Sequence, residues 1–126
     1  MREFLFESHP SLESYTCVHK GAVVGWTAFT PFRVKEDADH TAEMSLYVRG
    51  SFRRKGFGTA LATTLLNRAT ILDLHCVFVI VFKDMPDVIS FAGRKCGFSV
   101  AGSLPEVFSD GGKHYDLLVL ERPIEG

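Results

Sequence analysis

Arg53-Arg54-Lys55-Gly56-Phe57-Gly58 is the stretch whose reading decides the fold. Upstream runs a strand-like segment, Ala42-Glu43-Met44-Ser45-Leu46-Tyr47-Val48. In it Ala42, Met44, Leu46 and Val48 share one face, and Glu43, Ser45 and Tyr47 the other. Downstream, Thr59 to Leu72 carries Leu61, Ala62, Leu65, Leu66, Ala69 and Leu72 as one apolar helical stripe. A strand, a basic glycine turn and a helix in that order gather backbone N–H groups at a helix N-terminus, the layout that receives a phosphate. Gly56 and Gly58 let the backbone approach an anion that a Cβ would hold off. Arg53, Arg54 and Lys55 add positive charge.

Three rival readings of this stretch fall to its context. A P-loop needs G-x-x-x-x-G-K-[ST], which the chain lacks. Lys55-Gly56-Phe57-Gly58 imitates the opening of an RNA-binding RNP1 strand, but Thr59-Ala60-Leu61-Ala62 continues it as a helix without stacking aromatics. A solvated charged turn capping a helix is the plain structural alternative, and the flanking strand and helix argue against it.

Composition agrees. The 126 residues make one domain, 1–126, with 46% hydrophobic and 23% charged residues, enough to build a core without a membrane segment. The net charge of -1 hides an asymmetry. Between Glu43 and Asp73 there are no acids, but Arg49, Arg53, Arg54, Lys55 and Arg68 are present. A local basic patch on an acidic body suits a small polyanion and not a nucleic-acid duplex. Cys17, Cys76 and Cys96 are odd in number and lack C-x-x-C spacing, which predicts reduced thiols in a cytoplasmic protein and no zinc or disulfide. Met1-Arg2-Glu3 does not open a signal peptide, and Cys76–Phe82 is too short to cross a bilayer.

The remaining elements fall into order around the glycine turn. Residues 1–13 read as a helix end and loop, and Tyr15–His19 with Val23–Phe32 as a hairpin through Lys20-Gly21. Arg33–His40 reads as an exposed loop. Cys76–Phe82 is continuously apolar, the pattern of a strand buried on both faces. Pro86 opens a second helix that runs to Cys96 and is stopped by Gly97. Phe98–Leu104 and Tyr115–Glu121 close the chain as strands around Gly111-Gly112. The predicted order is β-β-β-α-β-α-β-β.

The strand motif Thr41–Val48, the turn Arg53–Gly58, Cys96-Gly97-Phe98 and Tyr115–Leu120 resemble the GNAT N-acetyltransferase superfamily, and within it the phosphinothricin acetyltransferase-like group. The resemblance implies an α/β (α+β) GNAT fold: a mixed, mostly antiparallel sheet with flanking helices and a splayed central strand pair. The family's first strand and most of its opening helical segment have no counterpart here. Acetyl-CoA is the implied cofactor. Leu46, Tyr47 and Val48 would run beside its pantetheine arm, and Arg53, Arg54, Lys55, Gly56, Phe57, Gly58 and Thr59 would hold its pyrophosphate. A bulge within Glu43–Val48 would open the splay.

The implied chemistry is acetyl transfer to the amine of a small, amino-acid-like or phosphinothricin-like molecule. Glu43, on the polar face of the central strand, is the candidate base, with an exposed or ion-paired carboxylate as the alternative. The Val48 N–H is the candidate donor to the thioester oxygen. The family's usual general acid, a tyrosine or histidine, falls at Gly93, and an asparagine that contacts the cofactor falls at Pro86. Tyr47, His114 and Tyr115 are substitute acids, while His75 reads as solvent-facing and Cys96 as buried filler. The competing function is a GNAT domain that binds coenzyme A without turnover, as a sensor or assembly module. The short opening segment predicts a homodimer using residues 1–32. No nucleic-acid or membrane partner, and no metal, is implied.

Overall fold

The computed structural model describes residues 13–31 and 40–125, with the backbone alone at 107 and 108. Most of the expected opening loop and of the loop at 33–40 lies outside those residues. The chain runs β1 (Glu13–His19), β2 (Ala22–Pro31), β3 (Thr41–Val48), a single 3-10 turn (Gly50–Phe52), α1 (Phe57–Leu66), β4 (Cys76–Phe82), α2 (Pro86–Arg94), β5 (Ser99–Asp110) and β6 (Lys113–Pro123). This is the predicted order.

The strands form one six-stranded sheet in the order β1-β2-β3-β4-β6-β5. Every neighbouring pair is antiparallel except β3 and β4. The β1–β2 and β5–β6 hairpins each turn on two residues that take positive φ: Lys20 (51°) with Gly21 (80°), and Gly111 (57°) with Gly112 (83°). Two successive left-handed residues twist the chain in the sense the flanking strands need.

Both helices cover one face of the sheet. Ala62, Leu65 and Ala69 meet Phe29, Ala42, Met44 and Val77 there, and Ala92 and Cys96 meet Phe98 and Leu120, all in one buried cluster. A smaller cluster of Cys17, Val24 and Leu61 lies beside it, with Phe57 and Phe52 packed on its edge. Gly25 is what lets α1 settle so close. A Cβ on it would stand 2.6 Å from the Tyr47 carbonyl oxygen and 3.1 Å from Leu61 Cδ1.

Several expectations need correction. The helix predicted to reach Leu72 ends at Leu66. Just beyond it two bonds tighten to three-residue spacing, Arg68 N–H to Leu65 O and Ala69 N–H to Leu66 O, and the turns that follow end at Asp73 (φ 59°). Ala69 and Leu74 remain buried, so the apolar stripe continues although the α-helix does not. The second helix ends at Arg94, with Gly97 (φ 76°) further on. β4 is buried on one face only: Val77 is sealed while Ile80 is 41% exposed. Trp26, Tyr47 and Ile80 all lie on the helix-free face, which no described element covers.

Candidate active site

β3 and β4 pair only through Thr41, Ala42 and Glu43 against Cys76, Val77 and Phe78, and then part. No bulge in β3 drives them apart. Its register against β2 runs unbroken from Pro31–Ala42 to Gly25–Val48, and β4 follows β6 without a break over its whole length. Each strand stays with its outer neighbour, so the sheet opens along the one short parallel seam. The opening holds a cavity of about 240 Å³. Glu43, Ser45 and Leu46 line it from β3, Val79 and Val81 from β4, and Val88 and Phe91 from α2.

The β2–β3 ladder sets which way the β3 backbone points. Arg49 N–H donates to Val24 O at 2.8 Å. Because hydrogen-bonded and non-bonded pairs alternate in an antiparallel ladder, Tyr47, Ser45 and Glu43 bond toward β2. Leu46 and Val48 therefore turn their backbone groups toward the opening, where no described strand faces them.

At the mouth of the opening the basic turn delivers α1. Arg54 (φ 63°) and Gly56 (φ 87°) are both left-handed, and Gly56 caps the helix without a side-chain bond. The first helical bond is Ala60 N–H to Gly56 O. The amides of Phe57, Gly58 and Thr59 thus have no intrahelical acceptor and carry the positive end of the helix dipole. Arg53 Nε donates to Val48 O at 3.0 Å, tying the turn to the end of β3. Arg54 reaches Asp87 Oδ2 at 3.3 Å, and Lys55 Nζ lies 5.7 Å from the centre of the Phe52 ring. The Phe57 ring packs against Phe52 and His19 and serves the core. Gly58 sits at the junction of three elements: a Cβ there would stand 3.6 Å from Val48 Cγ2 and from Phe91 Cζ.

Arg68 does not belong to this patch. It lies past the other end of α1, paired with Glu13, which Tyr15 also contacts. Burial pushes the Glu13 carboxyl up, but the hydrogen bonds from Arg68 and Tyr15 and the Arg68 charge prevail and hold it below its usual range. The basic end of the cleft therefore rests on Arg49, Arg53, Arg54 and Lys55.

Glu43 stands on the last paired rung, half-buried at the edge of the cavity, and burial raises its pKa. That is the environment of a carboxylate able to accept a proton. The Tyr47 side chain lies on the same helix-free face as Glu43 but away from the cavity, stacked on Trp26 with ring centres 6.4 Å apart. Gly93 is exposed on α2, its missing Cβ directed at the Phe98 carbonyl, and Pro86 is the first residue of α2.

None of the substitute acids lines the cavity. His114 bonds Ser109 Oγ at 2.9 Å, and Tyr115 packs on Phe82 in a separate hollow of about 310 Å³. That hollow also presents Asp84 and Asp110, which disfavour a polyanion. The protic side chains that do line the cleft are Glu43, Ser45 and Cys96. Burial raises the Cys96 thiol, against a smaller opposing pull from Arg122. Cys96 is both core filler, as expected, and part of the cleft wall. Sequence reasoning missed the α2 wall, although Val88, Phe91 and Ala92 stand at helical spacing and could have signalled it.

Comparisons with known proteins follow the same lines. A model of the acetyltransferase (GNAT) family matches residues 1–98. The L-methionine sulfoximine/L-methionine sulfone acetyltransferase of Pseudomonas aeruginosa is 31% identical over 105 residues, which cover 83% of this chain and 60% of that protein. This chain therefore spans about three fifths of that relative's length. Among solved structures, a phosphinothricin acetyltransferase from Sinorhizobium meliloti in complex with AcCoA superposes with a TM-score of 0.80 at 26% identity, covering 89% of this chain and 60% of that one. A ribosomal-protein-alanine N-acetyltransferase from Brucella melitensis gives 0.82 at 28%, covering 89% and 68%.

Proposed function

This chain belongs to the acetyltransferase (GNAT) family, and on that premise we propose that residues 1–126 form an acetyl-CoA-dependent N-acetyltransferase domain acting on the amine of a small, amino-acid-like molecule. One observation carries the reading. The opening between β3 and β4 leaves Leu46 and Val48 with outward backbone groups that lead to the uncapped amides of Phe57, Gly58 and Thr59.

These residues fit the cofactor. Phe57, Gly58 and Thr59 would offer a diphosphate their orphaned N–H groups and the helix dipole, with Arg49, Arg53, Arg54 and Lys55 supplying positive charge nearby and Gly58 keeping the approach clear. Bound there, acetyl-CoA supplies an activated thioester. Glu43 takes the proton from the incoming ammonium so that the free amine can attack. The Val48 N–H, aimed into the opening, stabilises charge that develops on the acyl oxygen. No tyrosine or histidine of the described residues stands in the cleft to protonate the departing sulfur. Without such a donor the chain would rely on the low basicity of a thiolate whose parent pKa is near the cysteine value of about 8.5, at a rate penalty of roughly 10²–10⁴-fold.

The acceptor class is drawn from the methionine sulfoximine and phosphinothricin enzymes, and the ribosomal-protein relative shows how far acceptors vary on this fold. The second reading, coenzyme A binding without turnover, is favoured by Gly93, which brings no side chain to the cleft. A homodimer whose contact includes residues 1–32 would cover Trp26, exposed beside Tyr47 on the helix-free face. Light scattering that finds a monomer at high concentration would remove that part. A cytoplasmic setting is supported by three free cysteines, and no helix among the described residues is long and apolar enough to cross a membrane.

The test is a pair of measurements. Acetyl-CoA should raise the melting temperature, since it binds only the folded state. Thiol release on a panel of amino acids and small amines should then identify an acceptor. Cofactor binding with silence across the panel selects the second reading, and no cofactor binding defeats both.

A further inference from the structure

Away from the cleft, the fold joins three side chains that the sequence keeps far apart. His40 immediately precedes β3, and Asp73 and His75 precede β4. Their potential ligand atoms all lie within 4.8 Å of one another, the one such group among the described residues. We infer that His40, Asp73 and His75 form a binding site for a single divalent transition-metal ion of the zinc class, pinning together the starts of β3 and β4.

The chemistry of the set suits such an ion. Two imidazoles and a carboxylate are borderline ligands of the kind zinc takes, and three protein ligands leave a position for water. Ligands about 2 Å from a shared ion stand no more than about 4 Å apart. His40 Nδ1 is 3.3 Å from Asp73 Oδ2, and His75 Nε2 is 3.6 Å from Asp73 Oδ1, so both contacts with the carboxylate are already within that span. The two rings stack with centroids 4.4 Å apart and planes 7° from parallel. Ligation requires them to tilt so that their lone pairs converge. All three side chains are exposed enough to do so, at 46% for His40, 67% for His75 and 74% for Asp73.

The backbone beneath is fixed. His40 O accepts from His75 N–H at 2.7 Å and from Cys76 N–H at 3.3 Å, while His75 O accepts from Ile124 N–H at 2.8 Å. The ligands therefore sit on anchored main chain and only their side chains adjust. One proton must relocate. His40 Nδ1 lies 2.8 Å from the Asp73 carbonyl oxygen, so it carries the hydrogen in the metal-free state. Binding through Nδ1 moves that hydrogen to Nε2 and releases the carbonyl. The cysteines take no part: Cys17 and Cys96 are buried elsewhere, and the Cys76 thiol lies over its own strand.

The location gives the ion a purpose. Strand pairing between the two halves of the sheet is confined to Thr41–Glu43 against Cys76–Phe78, with the His40 carbonyl bonds just before it. A metal at the adjoining ends would stiffen that seam, and binding the folded state alone would raise stability by mass action.

The experiment uses tag-free protein stripped with a chelator, titrated with Co²⁺ and with Zn²⁺. We expect one equivalent bound, a rise in melting temperature and a cobalt spectrum of nitrogen and oxygen ligation. His40→Gln, His75→Gln and Asp73→Asn should each weaken binding by at least about tenfold, a loss that even a missing supporting partner can cause. The double variant H40Q/H75Q should lose the thermal shift while its metal-free melting temperature and circular dichroism match the wild type. Unchanged affinity in the variants, thiolate-to-cobalt charge transfer, or no binding at millimolar metal would each overturn the proposal. None of these readouts requires acetyl-CoA, so the acetyltransferase reading stands or falls separately.

Discussion

The two ends of β3 differ in kind. At Ala42 and Glu43 the strand is paired on both sides, by β2 and by β4. At Leu46–Val48 only β2 remains, and the other side opens into the cleft. The paired end supplies a carboxylate whose burial lifts its pKa, and the open end supplies backbone donors and a basic helix start. On the proposed reading, one strand would carry the proton-accepting carboxylate at its paired end and lead, at its open end, to the helix start that would hold the anion. The transition between the two is the loss of one neighbour, and it needs no change in β3 itself.

The largest expected effect tests the paired end. Glu43→Gln should lower turnover by about 10²–10⁴-fold with acetyl-CoA affinity retained, read by steady-state thiol release and calorimetry. Wild-type activity should climb as pH rises through the elevated Glu43 pKa. Stability runs the other way. A carboxyl whose folded pKa is raised stabilises below its unfolded pKa and loses that contribution as pH rises through the folded one. Glu43→Gln should therefore melt above the wild type at neutral pH, with the gap closing in acid. A melting temperature equal to wild type at every pH would mean that Glu43 is solvated.

Next comes the open end. Gly58→Val would fill the junction between Val48 and Phe91 and should cut acetyl-CoA affinity by tenfold or more, or about 1.4 kcal/mol. Undiminished affinity would detach this junction from the cofactor path. Third, Gly25→Ala forces a Cβ to within 2.6 Å of the Tyr47 carbonyl and should cost about 1–3 kcal/mol of stability in chemical unfolding. The smallest effect belongs to the exposed Arg54–Asp87 pair, where Asp87→Asn should shift stability by less than about 0.5 kcal/mol. A larger loss would make that contact structural.

The Arg68–Glu13 pair adds a control outside β3. Glu13 has a lowered folded pKa, so its contribution is present above the unfolded pKa and disappears as pH falls through the folded one. Glu13→Gln should flatten the acid limb of the melting curve.

Much of this was legible because it depends on local rules. Alternation in Thr41–Val48, the positive-φ turn at Lys20-Gly21 and the glycine-bearing helix start at Gly56 each write their geometry within a few residues. What escaped depends on distant partners. Nothing near β3 encodes the point at which β4 leaves it, because that point reflects loyalty to β2 on one side and β6 on the other. Arg68 counted as part of a basic patch until the fold brought it to Glu13, 55 residues away. Phe91 and Cys96 reach the cleft only through the docking of α2, and Ile80 is exposed because no described element covers its face. His40 and His75 meet only because their strands start side by side.

The short parallel seam is also the sheet's thinnest line of strand pairing. Three paired positions hold β3 to β4, whereas seven hold β2 to β3 and seven hold β4 to β6. Parallel rungs are slightly the weaker kind per residue. Under tension applied between Glu13 and Asp110, the sheet should tear at Thr41–Glu43 first. Each half would then come away as an intact three-stranded ribbon before either loses a strand.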